Sequence, residues 1–304
     1  MSALTCSKCH LKQSVIYRPY SGERLCPNCF KNSLRERVQT TINRYRMLDH
    51  WSRVAVAVSG GKDSLTLLHI LKEIEDESHG SEIIAITVDE GIKGYRDEAL
   101  EIVERACRGM GVEWRLVSFS DLFGASMDEI GARNRSLGAC SFCGVIRRRA
   151  LNEAAKSVDA DRLATGHTLD DMAQSALLNL LRGDIGKMAS LNPGGYTSQG
   201  FVRRVKPLCE VPERETAFYA YLQGFELQST PCPYAGEAMR GDARTFLNEM
   251  EAKRPGTLYT TFNTALRLIP TESTVETMKT CKICGEPSTG DVCRVCQLIE
   301  KSEG

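Results

Sequence analysis

The stretch RVAVAVSGGKDS, residues 53–64, decides the fold. Its first half is a short apolar run of the kind that forms a buried strand, and the apolar-periodic segment LTLLHILKEIEDE (65–77) after it predicts a helix. Two glycines let an anion approach the backbone closely, and the amides at the helix start point at it with the helix dipole behind them. An ordinary glycine-rich turn is the alternative, and the Walker A pattern does not fit. The expected phosphate-binding residues are Ser59, Gly60, Gly61, Lys62, Asp63 and Ser64.

The segments after this unit repeat its alternation of strand and helix. Apolar runs predict three more strands, at 82–90, 114–120 and 161–167, and helical periodicity predicts helices at 97–111 and 169–184. The alternation predicts an α/β fold with a doubly wound parallel sheet and helices on both faces. The remaining expectations are a helix at about 31–51, a loop at 191–200, and a mostly helical segment from 213 to about 252 that is broken near Pro231 and Pro233.

Charge balance and cysteine content narrow the class of protein. The chain of 304 residues has 39 basic and 39 acidic residues, so it is no uniformly basic nucleic-acid binder, although local basic patches are compatible with this balance. We find no apolar run that approaches a membrane span and no signal peptide, and we expect a soluble, cytoplasmic protein. Ten of the thirteen cysteines form five CxxC pairs, which in that compartment indicates metal ligands rather than disulfides.

A second motif, ATGHTLDD (164–171), closes the fourth predicted strand and opens the next helix. Its two aspartates fall in the first helical turn, where carboxylates complement the helix dipole without any further role. They also suit the Mg²⁺ of a bound nucleotide, because Mg²⁺ prefers one or two carboxylates together with phosphate oxygens. Because the glycine-rich loop is also present, we favour the interpretation that these carboxylates lie near Mg²⁺. Which aspartate binds the metal stays open. His167 fits a core or helix-start position as well as a catalytic one. The nucleotide-binding candidates are Gly166, His167 and Asp170, with Asp171 as a catalytic candidate.

Cysteine pairs near both ends of the chain have the spacing of zinc sites. The first set is C-x2-C-x16-C-x2-C and the second is C-x2-C-x8-C-x2-C, and four thiolates suit a tetrahedral Zn²⁺, whereas the alternative is unligated thiols. We expect two zinc-ribbon modules, at 1–30 and 276–304, on either side of a catalytic domain at 31–275. The expected ligands are Cys6, Cys9, Cys26 and Cys29 in the first module and Cys281, Cys284, Cys293 and Cys296 in the second.

A fifth pair, Cys140 and Cys143 in GACSFCGV, has no second CxxC nearby. Among the remaining cysteines, Cys107 falls in the middle of a predicted helix and Cys209 has no informative surroundings. Cys232 lies between two prolines in STPCPY, which keeps it out of regular structure. Three thiolates on a [4Fe–4S] cluster leave one iron open for an exogenous sulfur. We favour a cluster on Cys140, Cys143 and Cys232 over a redox disulfide or a third zinc completed by Cys209.

Together these residues resemble one enzyme family. SGGKDS is the pattern of the PP-loop ATP pyrophosphatases. Combined with CSFCGVIRRRAL, ATGHTLDDMAQSALLNLLRGD, the STPCPY cysteine and the terminal CxxC modules, it resembles the tRNA 2-thiouridine synthetases of the TtuA/TtcA type, from Cys6 to Cys296. CGVIRRRAL, LLNLLRGDI, RVKPL and RGDARTFL are most similar to the archaeal and eukaryotic cytoplasmic branch, which thiolates the wobble uridine (U34). The T-loop (U54) branch is the close competitor; it typically has a lysine where this chain has Arg147, so no catalytic lysine carries over and Arg147 takes its place.

The resemblance implies an HUP-like PP-loop fold and a tRNA sulfurtransferase. ATP with Mg²⁺ would adenylate the C2 oxygen of a flipped-out uridine and release pyrophosphate, after which sulfur would displace AMP. The resemblance also implies sulfide or a ubiquitin-like thiocarboxylate carrier as sulfur donor, and a homodimer. The implied catalytic residues are Asp63, Arg147, Asp171, Cys140, Cys143 and Cys232. Contacts to tRNA are expected from Lys31–Arg46, from Arg147–Arg149, and from Arg203, Arg204 and Lys206.

Two other classes of protein compete with this interpretation. Another PP-loop adenylating enzyme, such as a tRNA-lysidine synthetase or a GMP-synthetase-like amidotransferase, needs no CxxC at position 140, so bound iron discriminates. A zinc-ribbon RNA-binding scaffold with a decayed nucleotide loop would bind tRNA and release no pyrophosphate. The intact SGGKDS weighs against the scaffold.

Overall fold

The computed structural model describes residues 4–78, 80–133, 139–197, 199–234, 240–269 and 279–300, without the side chains of residues 133, 139–141, 185 and 300. Its strands are β1 (Ile16–Arg18), β2 (Glu23–Leu25), β3 (Ser52–Ala57), β4 (Ser81–Asp89), β5 (Glu113–Ser118), β6 (Arg162–Ala164), β7 (Arg203–Val205), β8 (Lys279–Thr280) and β9 (Pro287–Ser288). Its α-helices are α1 (Pro27–Arg44), α2 (Lys62–Ser78), α3 (Arg96–Met110), α4 (Phe119–Phe123), α5 (Met127–Arg133), α6 (Ala139–Ser157), α7 (Leu169–Leu181), α8 (Glu213–Gln223), α9 (Arg240–Lys253), α10 (Thr257–Arg267) and α11 (Arg294–Glu300). A 3₁₀ helix spans Ile185–Leu191.

A five-stranded parallel sheet forms the centre of the molecule, in the spatial order β5-β4-β3-β6-β7. Val54 and Val56 of β3 pack in one hydrophobic cluster with Leu68 of α2, whereas Ala55 between them packs in another with Ala154 of α6. Because neighbouring residues of a strand point to opposite faces, these two clusters place helices on both faces of the sheet. The predicted doubly wound α/β sheet is therefore confirmed.

The direction in which strands are added reverses between β3 and β6. In open α/β sheets, ligands bind beyond the carboxyl ends of the strands at such a reversal. The glycine-rich loop follows β3 and the ATGHTLDD motif runs from the end of β6 into α7. The topology therefore brings the two motifs to one crevice.

The elements differ from the prediction in several places. The helix expected at about 31–51 is α1, which spans Pro27–Arg44, and helices α6 and α10 were not predicted. The segment expected to be helical from 213 to about 252 is interrupted earlier than its prolines, because α8 is capped by Gly224, which has a φ of 68°. The helix expected to run to residue 184 ends at Leu181, and a 3₁₀ helix follows it. The fifth strand, β7, pairs in parallel with β6 and was not predicted at all. None of the helices in the described ranges has the length and apolar character that a membrane span requires.

Each terminal module is attached to the sheet domain by specific contacts. Arg18 of β1 donates from Nε and Nη2 to Glu215 of α8, at 3.1 and 2.7 Å, and both side chains are fully buried. At the other end of the chain, Glu286 accepts ion pairs from Arg149 and Lys156 of α6. The N-terminal module therefore rests on α8, and the C-terminal one on α6.

Candidate active site

The glycine-rich loop is shaped by hydrogen bonds among its own residues. Ser64 Oγ accepts from the amide of Ser59 at 3.1 Å and donates to the carbonyl of Gly61 at 2.9 Å. Gly60 has a φ of 84°, and a Cβ there would lie 3.1 Å from the Cβ and carbonyl oxygen of Ala99 on α3. Only glycine satisfies both conditions. The loop therefore has a defined shape at the start of α2, where the sequence predicts an anion-binding site.

The second motif packs directly on this loop. A Cβ on Gly166 would lie 3.2 Å from the carbonyl carbon of Asp63 and from the amide nitrogen of Ser64, so glycine allows the two backbones to meet. Thr168 caps α7 in a capping box, in which an oxygen of Asp171 accepts from the Thr168 amide at 3.1 Å. Asp170 Oδ2 accepts from the amide of Glu213 at 2.6 Å, and burial raises the pKa of Asp170 to about 6. Asp171 thus caps the N-terminus of α7. Asp170 is a buried carboxylate whose negative charge its surroundings disfavour.

The N-terminus of α8 completes this part of the site with two residues that the sequence did not suggest. Glu213 Oε1 accepts from Lys62 Nζ at 2.8 Å, and Lys62 Nζ also lies 3.0 Å from Asp63 Oδ2. Thr216 donates its hydroxyl proton to the other oxygen of Asp63. Residues of α8, the helix that contacts the N-terminal module, therefore hold the Lys62 and Asp63 side chains of the glycine-rich loop in place.

A second cluster of chemically active groups lies at the start of α6. Cys143 is buried, and its Sγ accepts from Arg147 Nη2 at 3.1 Å. Burial raises the pKa of the Cys143 thiol, and the Arg147 guanidinium opposes this shift. Cys232 packs in the same cluster of side chains as Cys143. The backbone of Cys140 lies in the first turn of α6, but its side chain is outside the described part of the chain.

The loop that carries Cys232 is hydrogen-bonded to α3 and to the glycine-rich loop. Glu98 of α3 accepts from the amides of Ser229 and Thr230, at 3.0 and 3.2 Å, and from both of their hydroxyls. These bonds lower the pKa of Glu98 to about 2. The Gln228 amide donates to the carbonyl of Gly60 at 3.4 Å. Cys232 is thus connected through a few residues to the glycine-rich loop.

The other two cysteines considered as ligands lie elsewhere. Cys107 and Cys209 are buried in the hydrophobic cluster around α1, α2 and α7, not in the one that contains Cys143. Burial raises the pKa of both thiols. Cys107 is thus the small buried side chain that its position in the helix predicts, and nothing in the described residues places Cys209 beside the CxxC pair.

Both terminal cysteine sets are arranged as metal sites. Within each set of four, the sulfur atoms lie within 4.8 Å of one another. The sulfur pairs Cys9–Cys26 and Cys281–Cys296 are 3.9 Å apart. A tetrahedron of sulfurs about 2.3 Å from Zn²⁺ has edges of about 3.8 Å, so these distances fit the ion. Backbone N–H donors lower the pKa of Cys281 to about 6, which favours its thiolate form.

A basic cleft of about 1020 Å³ opens beside the second motif, between α6, α7, the 192–204 segment and the C-terminal module. Among the described residues that line it there are eight arginines and lysines and no acidic side chain: Arg148, Arg149, Arg182, Lys187, Arg204, Lys206, Arg240 and Arg294. Burial lowers the pKa of Arg204 to about 10 and that of Lys206 to about 8, and the neighbouring cations add to both shifts. His167 lies in the wall, and burial lowers its pKa to about 4, so its imidazole is neutral near pH 7.

Comparison with known proteins identifies the family. Residues 31–230 match the family model of the PP-loop domain, and residues 5–31 match that of the N-terminal LIM domain of the 2-thiouridine synthetase TtuA. The Cytoplasmic tRNA 2-thiolation protein 1 of Chlamydomonas reinhardtii is 37% identical over 97% of this chain and 84% of its own length. The chain belongs to the tRNA 2-thiolation protein family. The family member NcsA of Haloferax volcanii, a tRNA 2-thiolation protein, is 35% identical over 99% of both chains.

A solved structure of the tRNA 2-thiolation family extends the likeness to three dimensions. The U34-tRNA thiolase NcsA from Methanococcus maripaludis, solved with its [4Fe-4S] cluster, superposes with a TM-score of 0.86 at 35% identity. The match covers 99% of this chain and 97% of that one. The family resemblance expected from the motifs is therefore confirmed over the whole chain.

Several site residues of this tRNA 2-thiolation protein could not be found from motifs. Glu98 and Glu213 belong to no recognisable motif, and their partners lie far away in the sequence. Glu213, for example, pairs with Lys62, 151 residues earlier. The available signal was weak, namely the position of Glu213 at the start of a predicted helical segment.

Proposed function

We propose that this protein catalyses the ATP-dependent 2-thiolation of a tRNA uridine, at the wobble position 34. The C2 oxygen is adenylated with release of pyrophosphate, and sulfur then displaces AMP. The observation that carries the proposal is the adjacency of the two halves of the site: the Cys232 loop bonds to Gly60, and Arg147 stands beside Cys143. Adenylation and sulfur transfer can then act on one bound base, and positioning supplies a large part of the rate.

ATP would bind with its phosphates on the amides of the glycine-rich loop and on Lys62. Mg²⁺, when bound, would neutralise phosphate charge, and Asp63 and Asp170 are the proposed ligands. We prefer Asp170 to Asp171 because an oxygen of Asp171 closes the capping box, whereas Asp170 is a buried carboxylate that a cation would stabilise. Lys62 would exchange its contact with Glu213 for a phosphate oxygen, since that ion pair occupies the same ammonium group.

The sulfur site would be formed by Cys140, Cys143 and Cys232. Two of these thiols meet in one hydrophobic cluster, and soft thiolates are the ligands that iron–sulfur clusters require. A [4Fe–4S] cluster held by three cysteines would supply an iron open to exogenous sulfur. Arg147 would place its positive charge beside the sulfur ligand and the reacting base, and this is its proposed catalytic role. Sulfide or a ubiquitin-like thiocarboxylate carrier is the proposed donor, and a homodimer the proposed assembly.

The two terminal four-cysteine sets would each hold one structural Zn²⁺. Four protein ligands fill the coordination shell of the ion, and a closed shell of this kind stabilises a fold rather than performing chemistry. We propose the zinc-ribbon modules at 1–30 and 276–304 on this basis, with the catalytic domain at 31–275 between them.

The basic cleft is the proposed binding surface for tRNA. Arg148, Arg204 and Lys206 contact no acidic side chain in the described ranges, so phosphates are the counter-ions that would stabilise them. The half-exposed rings of Tyr196 and Phe201 line the same cleft, where unpaired bases can stack. The basic residues of α1 are less suited, because Arg35, Arg37 and Arg44 form ion pairs within the chain. Arg203 also donates to two backbone carbonyls.

The test is anaerobic reconstitution with ATP, Mg²⁺, sulfide and unthiolated tRNA, followed by digestion and mass-spectrometric mapping of 2-thiouridine. We expect thiolation at position 34 and none in a matched transcript with cytidine there. Thiolation in the T loop would keep the chemistry and refute the position. No thiolation by iron-loaded protein would refute the function and favour another adenylating enzyme or an RNA-binding scaffold, which pyrophosphate release would distinguish.

A further inference from the structure

A chain of charged side chains connects the cysteine site with the glycine-rich loop. Glu90 follows β4 and forms two ion pairs: its Oε1 lies 3.1 Å from Arg147 Nε, and its Oε2 lies 2.9 Å from Arg96 Nε. Arg147 continues to Cys143 Sγ at 3.1 Å. Arg96 continues to the carbonyl of Ser59 at 3.3 Å and to that of Val88 at 2.7 Å. The Glu90 carboxylate therefore contacts both Arg147 and Arg96. Arg147 extends to the cysteine site, and Arg96 extends to the glycine-rich loop.

Glu90 and Arg147 differ sharply in burial. The Glu90 and Arg96 side chains are 6% and 5% exposed, whereas Arg147 is 49% exposed. A half-exposed arginine has many conformations, and holding its long side chain in one of them costs conformational entropy. In the described part of the chain, the Arg147 guanidinium pairs with Glu90 and donates a hydrogen bond to Cys143 Sγ. Without Glu90, the guanidinium would keep a single contact to a sulfur atom, which is a weak acceptor.

We propose that Glu90 is a positioning residue, which holds Arg147 beside the Cys143 sulfur and Arg96 on the glycine-rich loop. The inference rests on the proposed function, because it takes Cys143 as a ligand of the sulfur site. Glu90 touches neither RNA nor nucleotide in this role; it acts through the two arginines. Displacing a reacting group by about 1 Å can cost on the order of 10²-fold in rate, so loss of Glu90 should lower kcat far more than it changes the KM for tRNA.

The decisive variants are Glu90→Gln, Arg147→Gln and the double variant, measured anaerobically on iron-loaded protein by spectroscopic redox titration and by thiolation kinetics. Removing the arginine cation beside a cluster ligand lowers the midpoint potential. If Glu90 positions Arg147, Glu90→Gln lowers the potential too. If Glu90 contributes only its own negative charge, the same substitution raises the potential. Glu104→Gln is the matched control, since it removes one carboxylate from an ion pair with Arg108 on α3 and should change neither the potential nor the thiolation rate.

Glu90→Gln leaves Arg96 as an unpaired buried cation and can unfold the chain. The variant Glu90→Gln/Arg96→Gln removes both charges, and it should fold and show the same fall in potential and kcat. In an Arg96→Gln background, where Glu90 can act only through Arg147, Glu90→Gln/Arg147→Gln should be no slower than Arg147→Gln, because residues that act as a unit are not additive. A raised potential, or losses that multiply, would overturn the proposal.

Failure of the proposed function would be visible separately. Iron-loaded wild-type protein that does not thiolate tRNA would refute the function, whereas its potentials would still decide the role of Glu90. If wild-type protein bound no iron, a crystal structure of the Glu90→Gln chain would decide instead. Arg147 should then have left the Cys143 sulfur, and an unchanged contact would count against positioning.

Discussion

Replacing Glu215 with glutamine should strongly destabilise the chain. Glu215 and Arg18 are both 0% exposed, and Tyr20 also donates its hydroxyl proton to the carboxylate. The substitution leaves the Arg18 guanidinium buried with only the half-exposed Glu23 carboxylate as its counter-ion. Breaking a buried pair in this way costs about 3–5 kcal/mol, so we expect the free energy of unfolding to fall by that amount. At about 2–4 °C per kcal/mol, the Tm should fall by roughly 6–20 °C.

The assay is urea and thermal unfolding of the zinc-loaded protein, followed by circular dichroism and by a zinc-binding dye. Glu23→Gln is the matched control: it removes another partner of the same arginine, but Glu23 is 41% exposed, and pairs with exposed groups contribute about 0–1 kcal/mol. Arg18→Met/Glu215→Leu, which removes both charges, should recover most of the loss. A Glu215→Gln protein as stable as Glu23→Gln would refute the reasoning.

Three further predictions follow from the site. The pKa of Lys206 is lowered to about 8, so this lysine is charged at pH 7 and loses its proton as the pH rises to 9. RNA affinity measured by fluorescence anisotropy should therefore fall between pH 7 and pH 9, and Lys206→Gln should abolish this pH dependence. Gly166→Ala places a Cβ 3.2 Å from the backbone of the glycine-rich loop and should weaken ATP binding in calorimetry, whereas Gly131→Ala, whose Cβ has room, should not. Cys232→Ala should abolish iron binding as measured by elemental analysis, and Cys107→Ala should retain the iron; the opposite pattern would exclude Cys232 as a ligand.

The sequence predicted those parts of the molecule that depend on local pattern. The strand–turn–helix unit around SGGKDS, the helices on both faces of the sheet and the two four-cysteine modules each follow from residues close together in the chain. The three-residue strand β7 was missed because its pairing with β6 joins residues about 40 positions apart, and no periodicity is legible in RRV. The presence of β7 at the edge of the sheet was therefore established only by the structure.

The site was predictable to the extent that motifs carry it. Asp171 illustrates the limit, since its sequence context allows both metal binding and capping, and only the hydrogen bond to the Thr168 amide assigns one oxygen to the cap. The ion pairs of Glu90 and Glu213 have no local signature, because a charged residue reveals nothing about a partner that tertiary folding brings to it.

The hydrogen bonds between Glu98 and the Cys232 loop affect how easily the proposed iron–sulfur cluster could be rebuilt after it is lost. Glu98 holds Ser229 and Thr230 through four hydrogen bonds, none of which involves a metal. The loop that carries Cys232, the proposed third ligand, is therefore held by bonds that need no iron, and little chain entropy has to be removed when a cluster assembles. If the proposed cluster is lost to oxygen, we expect iron and sulfide alone to restore it without unfolding, and Glu98→Gln to slow that recovery.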